Sequence, residues 1–344
     1  MTWELSDLLR AIATTIVIGI HASHHWWFGV NDLTTLNPEI FLDTFINQVG
    51  RFTVPLFVIL SGFALAKSEE TRPFNLKIFI QRRLWRIIPP YLLFSLLNVV
   101  GRSQFLAADW SGRIIQIWQA IATGMGDYHL YFLGIILQCY VIYPALRRIA
   151  FSVKSLGLLL TITLTLFSLR WTSASFGWLP TITSFLPDGN HVIYWLPYFQ
   201  IGIWLAKDHQ WTNQLVWRSH LWGYLFAIAA SLELSEFYGM AILKNSAEAV
   251  GHYTRPTVVL LTLTFLLWSI SWQYSKAKID WASKAHQTNL KIFSNASFTT
   301  YLVHVWVLRA IAPLEIIGGI LFVPLAAIIS WAIGITLWRL LKRS

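Results

Sequence analysis

An arginine and a histidine stand eleven residues apart in the run LLRAIATTIVIGIHASHHWW (8–27), at Arg10 and His21. In a helix that spacing is about 20° past three full turns, so both side chains leave in one direction, about 16 Å apart along the axis. An ionisable group inside a membrane-crossing run is costly and marks a functional position. The pair suits a ligand with an anionic head at the helix mouth and a long thin arm reaching inward, the shape of an acyl coenzyme A. The Arg10 guanidinium matches phosphate oxygens with its fork of donors, and His21 meets the thioester. There the imidazole can take the proton of an acceptor hydroxyl as general base, or take the acyl group itself and relay it. The competing reading is structural, with His21 bonded to a neighbouring helix and Arg10 snorkelling to the interface.

Other residues of the right type recur along the chain. His24 and His25 stand beside Trp26 and Trp27, which fits an interfacial aromatic belt. His21, His24 and His25 are also at i, i+3 and i+4, a metal-holding spacing, but no cysteine cluster or second HxxH completes such a site and no metal is expected. In FTVPLFVILSGFALAKS, Pro55 and Gly62 suit a helix packed closely around a cavity that Ser61 can line; ordinary helix packing fits equally. FIQRRLWRIIPPYLL brings Arg82, Arg83 and Arg86 together ahead of Pro89 and Pro90, and with Arg10 these form an anion cradle for cofactor phosphates. The positive-inside rule alone also accounts for that charge. Asp127, His129 and Tyr131 stand at the outer start of another run, as acceptor contacts or as an interface anchor. Pro197 and Gly202 mark a further non-uniform helix. Tyr301 and His304, at i and i+3, can face one cavity or serve as ordinary core residues. Asp188, Glu233, Glu236 and Glu248 read as solvated charges of outer loops.

The elements that hold these residues are membrane helices. The chain is 56% hydrophobic and only 12% charged, with 19 tryptophans, which places it in the polytopic membrane class rather than among soluble domains. Apolar stretches near 8–28, 50–66, 84–101, 128–147, 155–170, 191–206, 219–235, 254–273, 296–312 and 318–340 predict an all-α bundle of about ten helices. Most of the 26 Lys and Arg residues fall on one set of alternating loops and helix ends, so both termini are expected in the cytoplasm. The net charge of +10 is then a matter of topology and calls for no nucleic acid. Glu4 and Asp7 in place of a basic cluster argue against a cleaved signal peptide. The single Cys139 allows no internal disulfide. With no internal repeat or long linker visible, residues 1–344 are expected to form one transmembrane domain in a cell membrane.

Five segments, in order, resemble the acyltransferase-3 family of integral membrane O-acyltransferases: Arg10 and His21 as its Arg-X10-His motif, VPLFVILSGFALA, RRLWRIIPPYLL with Arg83 and Arg86 as its Arg-X-X-Arg, HLYFLGIILQCYVIYPAL, and SFTTYLVHVWVL. The resemblance implies a ten-helix protein that moves an acyl group, often acetyl, from cytoplasmic acyl-CoA to a sugar or envelope polymer. His21 would be its catalytic histidine and Arg10, Arg83 and Arg86 its donor-binding residues. The form of the fourth helix is similar to the envelope-polysaccharide branch, and no appended hydrolase-like domain is expected. The partners so implied are the acyl-CoA donor, a saccharide acceptor and the lipid bilayer, with no permanently bound cofactor. A transporter or flippase, with the intramembrane histidines and arginines lining a path, is the alternative. A histidine-ligated haem or metal protein is a third reading.

Overall fold

The computed structural model describes residues 1–23, 37–123, 126–127, 129–149, 152–177, 184–207, 218–247, 253–275 and 284–343. His24, His25, Trp26, Trp27 and Glu248 lie outside them. Every regular element among the described residues is helical. In chain order these are α1 (Trp3–Ser23), α2 (Pro38–Val49), a 3-10 turn (Gly50–Phe52), α3 (Thr53–Ser68), α4 (Leu76–Val100), α5 (Ser103–Ala107), α6 (Trp110–Thr123) and α7 (Tyr131–Leu146). They continue with α8 (Val153–Phe176), α9 (Val192–Lys207), α10 (Ser219–Lys244), α11 (Pro256–Ser275), α12 (Lys284–Ile311), a 3-10 segment (Ala312–Ile317) and α13 (Gly319–Arg343).

Among the described residues, seven helical stretches are long and apolar enough to cross a membrane: Trp3–Ser23, Pro38–Ser68, Val153–Ser173, Ser219–Lys244, Pro256–Gln273, Thr288–Ile317 and Gly319–Lys342. The other three expected spans fall on α4, which carries Lys77, Arg82, Arg83 and Arg86, and on the 16-residue helices α7 and α9. Three helices were not foreseen. Asn37-Pro38-Glu39 starts α2: the Asn37 side chain accepts from the Glu39 N–H at 2.9 Å, proline occupies the first turn, and Glu39 meets the positive end of the helix. The second crossing therefore begins at Pro38 rather than near residue 50. Helices α5 and α6 join α4 to the α7 region, and α6 leaves Trp110, Ile114, Ile115 and Trp118 exposed, a face suited to lipid.

The chain forms two compact units, one of residues 1–60, 164–186 and 208–344, the other of 61–163 and 187–207. In the first, α1 packs against α2, α12 and α13, while α10 pairs with α11 and α2. Ile18 and Ala22 of α1 join Ala296 and Leu308 of α12 and Phe322, Ala326 and Trp331 of α13 in one buried cluster. The Trp331 indole donates to Thr15 Oγ1 at 2.9 Å, which satisfies a polar atom that hydrocarbon would otherwise strand. Gly334 lies against Thr300, where a Cβ would overlap that residue's side chain and backbone. In the second unit α4 packs on α6 and α7, and α7 on α9. Gly62 does there what a small residue in a helix contact does: a side chain would run into the Phe199 carbonyl of α9.

Candidate active site

In the first unit α1 runs without a break from a Thr2 cap, whose Oγ1 accepts from the Leu5 N–H at 3.2 Å, to Ser23. The helical register between Arg10 and His21 therefore holds, and both side chains are half-buried. Arg10 Nη1 stands 3.6 Å from Asp7 Oδ1, and Asp7 accepts a 2.6 Å hydrogen bond from Ser294 Oγ of α12. This carboxylate tether keeps the guanidinium near the start of α1 and links it to the helix that carries the second histidine.

That histidine, His304, is fully buried, and its ring centroid lies 5.1 Å from that of His21 at an interplanar angle of 30°. Its Nδ1 donates to the Tyr301 carbonyl at 2.5 Å, and the Tyr301 ring stands 5.6 Å from the His304 ring. A carbonyl can only accept, so Nδ1 carries a proton, and Nε2 is the acceptor when the ring is neutral. Three residues named from sequence, His21, Tyr301 and His304, are thus brought together by the α1–α12 contact. The pair of imidazoles can accept, hold and return a proton.

Arg83, Arg86 and Ser61 belong to the second unit. Arg83 and Arg86 lie in the first half of α4, whose start is capped by Asn75 accepting from Ile78 N–H at 3.0 Å. The Arg83 guanidinium lies 5.4 Å from the Tyr140 ring centre and 6.0 Å from that of Phe79, while Arg86 and Arg82 are exposed. Ser61 is half-buried on α3. Nearby in this unit, Glu69 accepts from Arg147 Nη2 at 2.7 Å and Nε at 2.9 Å and from the Tyr143 hydroxyl at 2.5 Å. Burial opposes ionisation of Glu69, but these hydrogen bonds and the charges of Arg147 and Lys207 outweigh it and hold the carboxyl below its ordinary value. His129 and Asp127 are both buried, 4.0 Å apart, immediately before α7.

The outer-loop reading of two carboxylates is corrected. Asp188 is exposed, as a solvated loop charge should be. Glu233 and Glu236, however, lie on α10, and Glu233 is fully buried because Arg255, equally buried, pairs with it. Arg255 Nη1 also lies 3.6 Å from Glu236, which accepts from Thr257 Oγ1. Arg255 continues to Gln48 Oε1 at 2.9 Å, and Gln48 meets Arg51 and Asn47 of the second crossing. In the sequence Arg51 and Arg255 read as two of the minority of basic residues on the other, outer set of loops and helix ends, which hid this tract. Its one sequence-level signal is the polar set Asn47, Gln48 and Arg51 at i, i+1 and i+4, flanked by apolar residues.

The sequence model for the family described as "Acyltransferase domain" matches residues 4–339. The chain belongs to the acyltransferase-3 family. It is a multi-pass membrane protein of an acyltransferase family. The acyltransferase is also 30% identical, over 130 residues, to the regulator of hypoxia-inducible factor 1 of Caenorhabditis elegans. That match covers 32% of this chain and 26% of the nematode protein, so it spans about a quarter of the relative's length. No solved structure matches this acyltransferase.

Proposed function

We propose that residues 1–344 form a single acyltransferase domain that moves an acyl group, acetyl first among candidates, from cytoplasmic acyl-CoA to a hydroxyl of an envelope saccharide. The observation that carries this reading is the His21–His304 pair at 5.1 Å between ring centres on two membrane helices of an acyltransferase. In the general-base form, His21 takes the acceptor O–H proton, the oxygen attacks the thioester carbonyl, the C–S bond breaks, and the proton returns to the departing CoA thiolate. In the relay form, the imidazole nitrogen attacks the thioester carbonyl first and the C–S bond breaks to release CoA thiolate; the acceptor oxygen then displaces the imidazole, and the acceptor proton ends on the thiolate. Both forms need a thioester held beside His21 and shielded from water. Arg10, Arg83 and Arg86 are the candidates, from their sequence motifs, for the phosphate-binding charge, and within the first unit the Tyr301 and His304 rings supply a wall for the acyl arm. The distribution of Lys and Arg supports a cytoplasmic location for both termini.

Calorimetric titration with acetyl-CoA tests the donor. Saturable binding by the wild type, weakened at least tenfold by the double substitution Arg83→Ala/Arg86→Ala, is the expected result. Equal affinity in the two proteins would remove these arginines from the donor site, and no heat with any acyl-CoA would refute acyl-CoA as the donor.

A further inference from the structure

Beyond the histidine pair, the first unit contains a continuous line of buried hydrogen bonds that ends on the peptide of His21. Asn47 Nδ2 donates to the Ile20 carbonyl at 3.1 Å, the carbonyl of the peptide that joins Ile20 to His21. The same oxygen accepts from Ser23 Oγ at 3.1 Å. It lies in the last described turn of α1. Asn47 Oδ1 accepts from Arg51 Nη2 at 2.9 Å and from Gln48 Nε2 at 3.0 Å. Gln48 Oε1 accepts from Arg51 Nε at 3.2 Å and from Arg255 Nη2 at 2.9 Å. Arg255 in turn is paired with Glu233.

Guanidiniums only donate. Both amide oxygens are therefore turned toward the arginines, and the amide nitrogens must point along the line toward α1. The direction of every bond is set from its charged end. Such a line is expensive to bury, since charges in a membrane interior cost more than apolar residues of the same volume. Asn47, Gln48, Arg51, Glu233 and Arg255 are all at most 6% exposed. Local geometry supports it: the 3-10 turn Gly50–Phe52 folds Arg51 back over the two preceding amides, and its guanidinium lies 5.0 Å from the Tyr253 ring centre.

We infer that Asn47, oriented by Arg51 and by the Arg255–Glu233 pair through Gln48, is a positioning residue that fixes the end of α1 and hence the His21 imidazole against His304. Its role in turnover rests on the proposed function of His21; its role in geometry does not. Asn47→Asp keeps the shape and replaces the donor facing Ile20 with an acceptor. In the full-length protein, kcat falls about a hundredfold, the order expected when a reacting group is misplaced by about an ångström. The KM for acetyl-CoA stays within twofold. Ser23→Ala, the milder variant, lowers kcat by roughly 2- to 10-fold, as for one lost hydrogen bond. The independent readout is the rate at which diethyl pyrocarbonate modifies His21, mapped by peptide mass spectrometry. Both variants change it at least threefold without changing the modification of His191. An unchanged His21 rate in both variants overturns the inference, whatever the activities. A changed rate in a background where His21→Ala still transfers acyl groups upholds the positioning and refutes the catalytic assignment, so the two failures are distinct.

Discussion

His304 differs from a core histidine in what stands on each side of it. One face meets the His21 ring, while Nδ1 is committed to the Tyr301 carbonyl. Replacing it by phenylalanine keeps the ring and removes both nitrogens. Acyl transfer by His304→Phe should fall by about 10²-fold, the lower range for a lost acid–base partner, in an assay of CoA release at saturating acetyl-CoA. Glu69 gives a pH prediction. Its folded pKa lies below the ordinary value of 4.5, so its stabilisation is complete above that value and is lost as pH falls through the lower, folded value. Thermal unfolding from pH 6 down to pH 3 should show a fall in midpoint below about pH 4.5 that Glu69→Gln reduces. At this scale the sequence was legible where an ionisable residue sat alone in an apolar run, as His21 and His304 do. It was opaque where charges cancelled one another across helices. Glu233 and Arg255 are distant in sequence, and neither has a local pattern that announces the other.

At the scale of elements, close backbone approach carries much of the packing, because lipid supplies no hydrophobic drive between helices. Gly334 of α13 sits directly on Thr300 of α12, one residue from Tyr301. Gly334→Ala should destabilise the protein by about 1–3 kcal/mol through overpacking, read as a lower unfolding midpoint in detergent, and should reduce activity by shifting α12. Gly62→Ala should cost a similar amount in the second unit by pushing α3 from the Phe199 carbonyl. Every apolar stretch read from the sequence corresponds to a helix, because twenty apolar residues admit little else in a membrane. The misses were shorter or mixed elements. Helix α2 carried its own start signal, Asn37-Pro38-Glu39, but Asp43, Asn47 and Gln48 interrupt its apolar run, so it fell outside the predicted spans.

Across the whole molecule, buried charge is kept where geometry must be held, and apolar residues face outward, as Trp85, Val141 and Ile328 do. The Arg255–Glu233 pair is a severe test of that division, since removing one member leaves an uncompensated charge worth about 3–5 kcal/mol. Arg255→Met should therefore be rescued by Glu233→Leu in expression and thermal stability, while the line to Asn47 stays broken and activity stays low. The family resemblance was legible because five motifs lie in order along the chain, and the match over residues 4–339 bears it out. Periodicity and composition alone indicate only a helical membrane protein.

The measurement that bears most directly on the account is release of free CoA from acetyl-CoA, in the presence of a saccharide acceptor, by purified wild type and by His21→Ala. Both proteins are first shown to be folded and to bind acetyl-CoA. The account predicts acceptor-dependent release by the wild type and a loss of at least about 10²-fold in the variant, with donor affinity retained. Release by His21→Ala at the wild-type rate would contradict it.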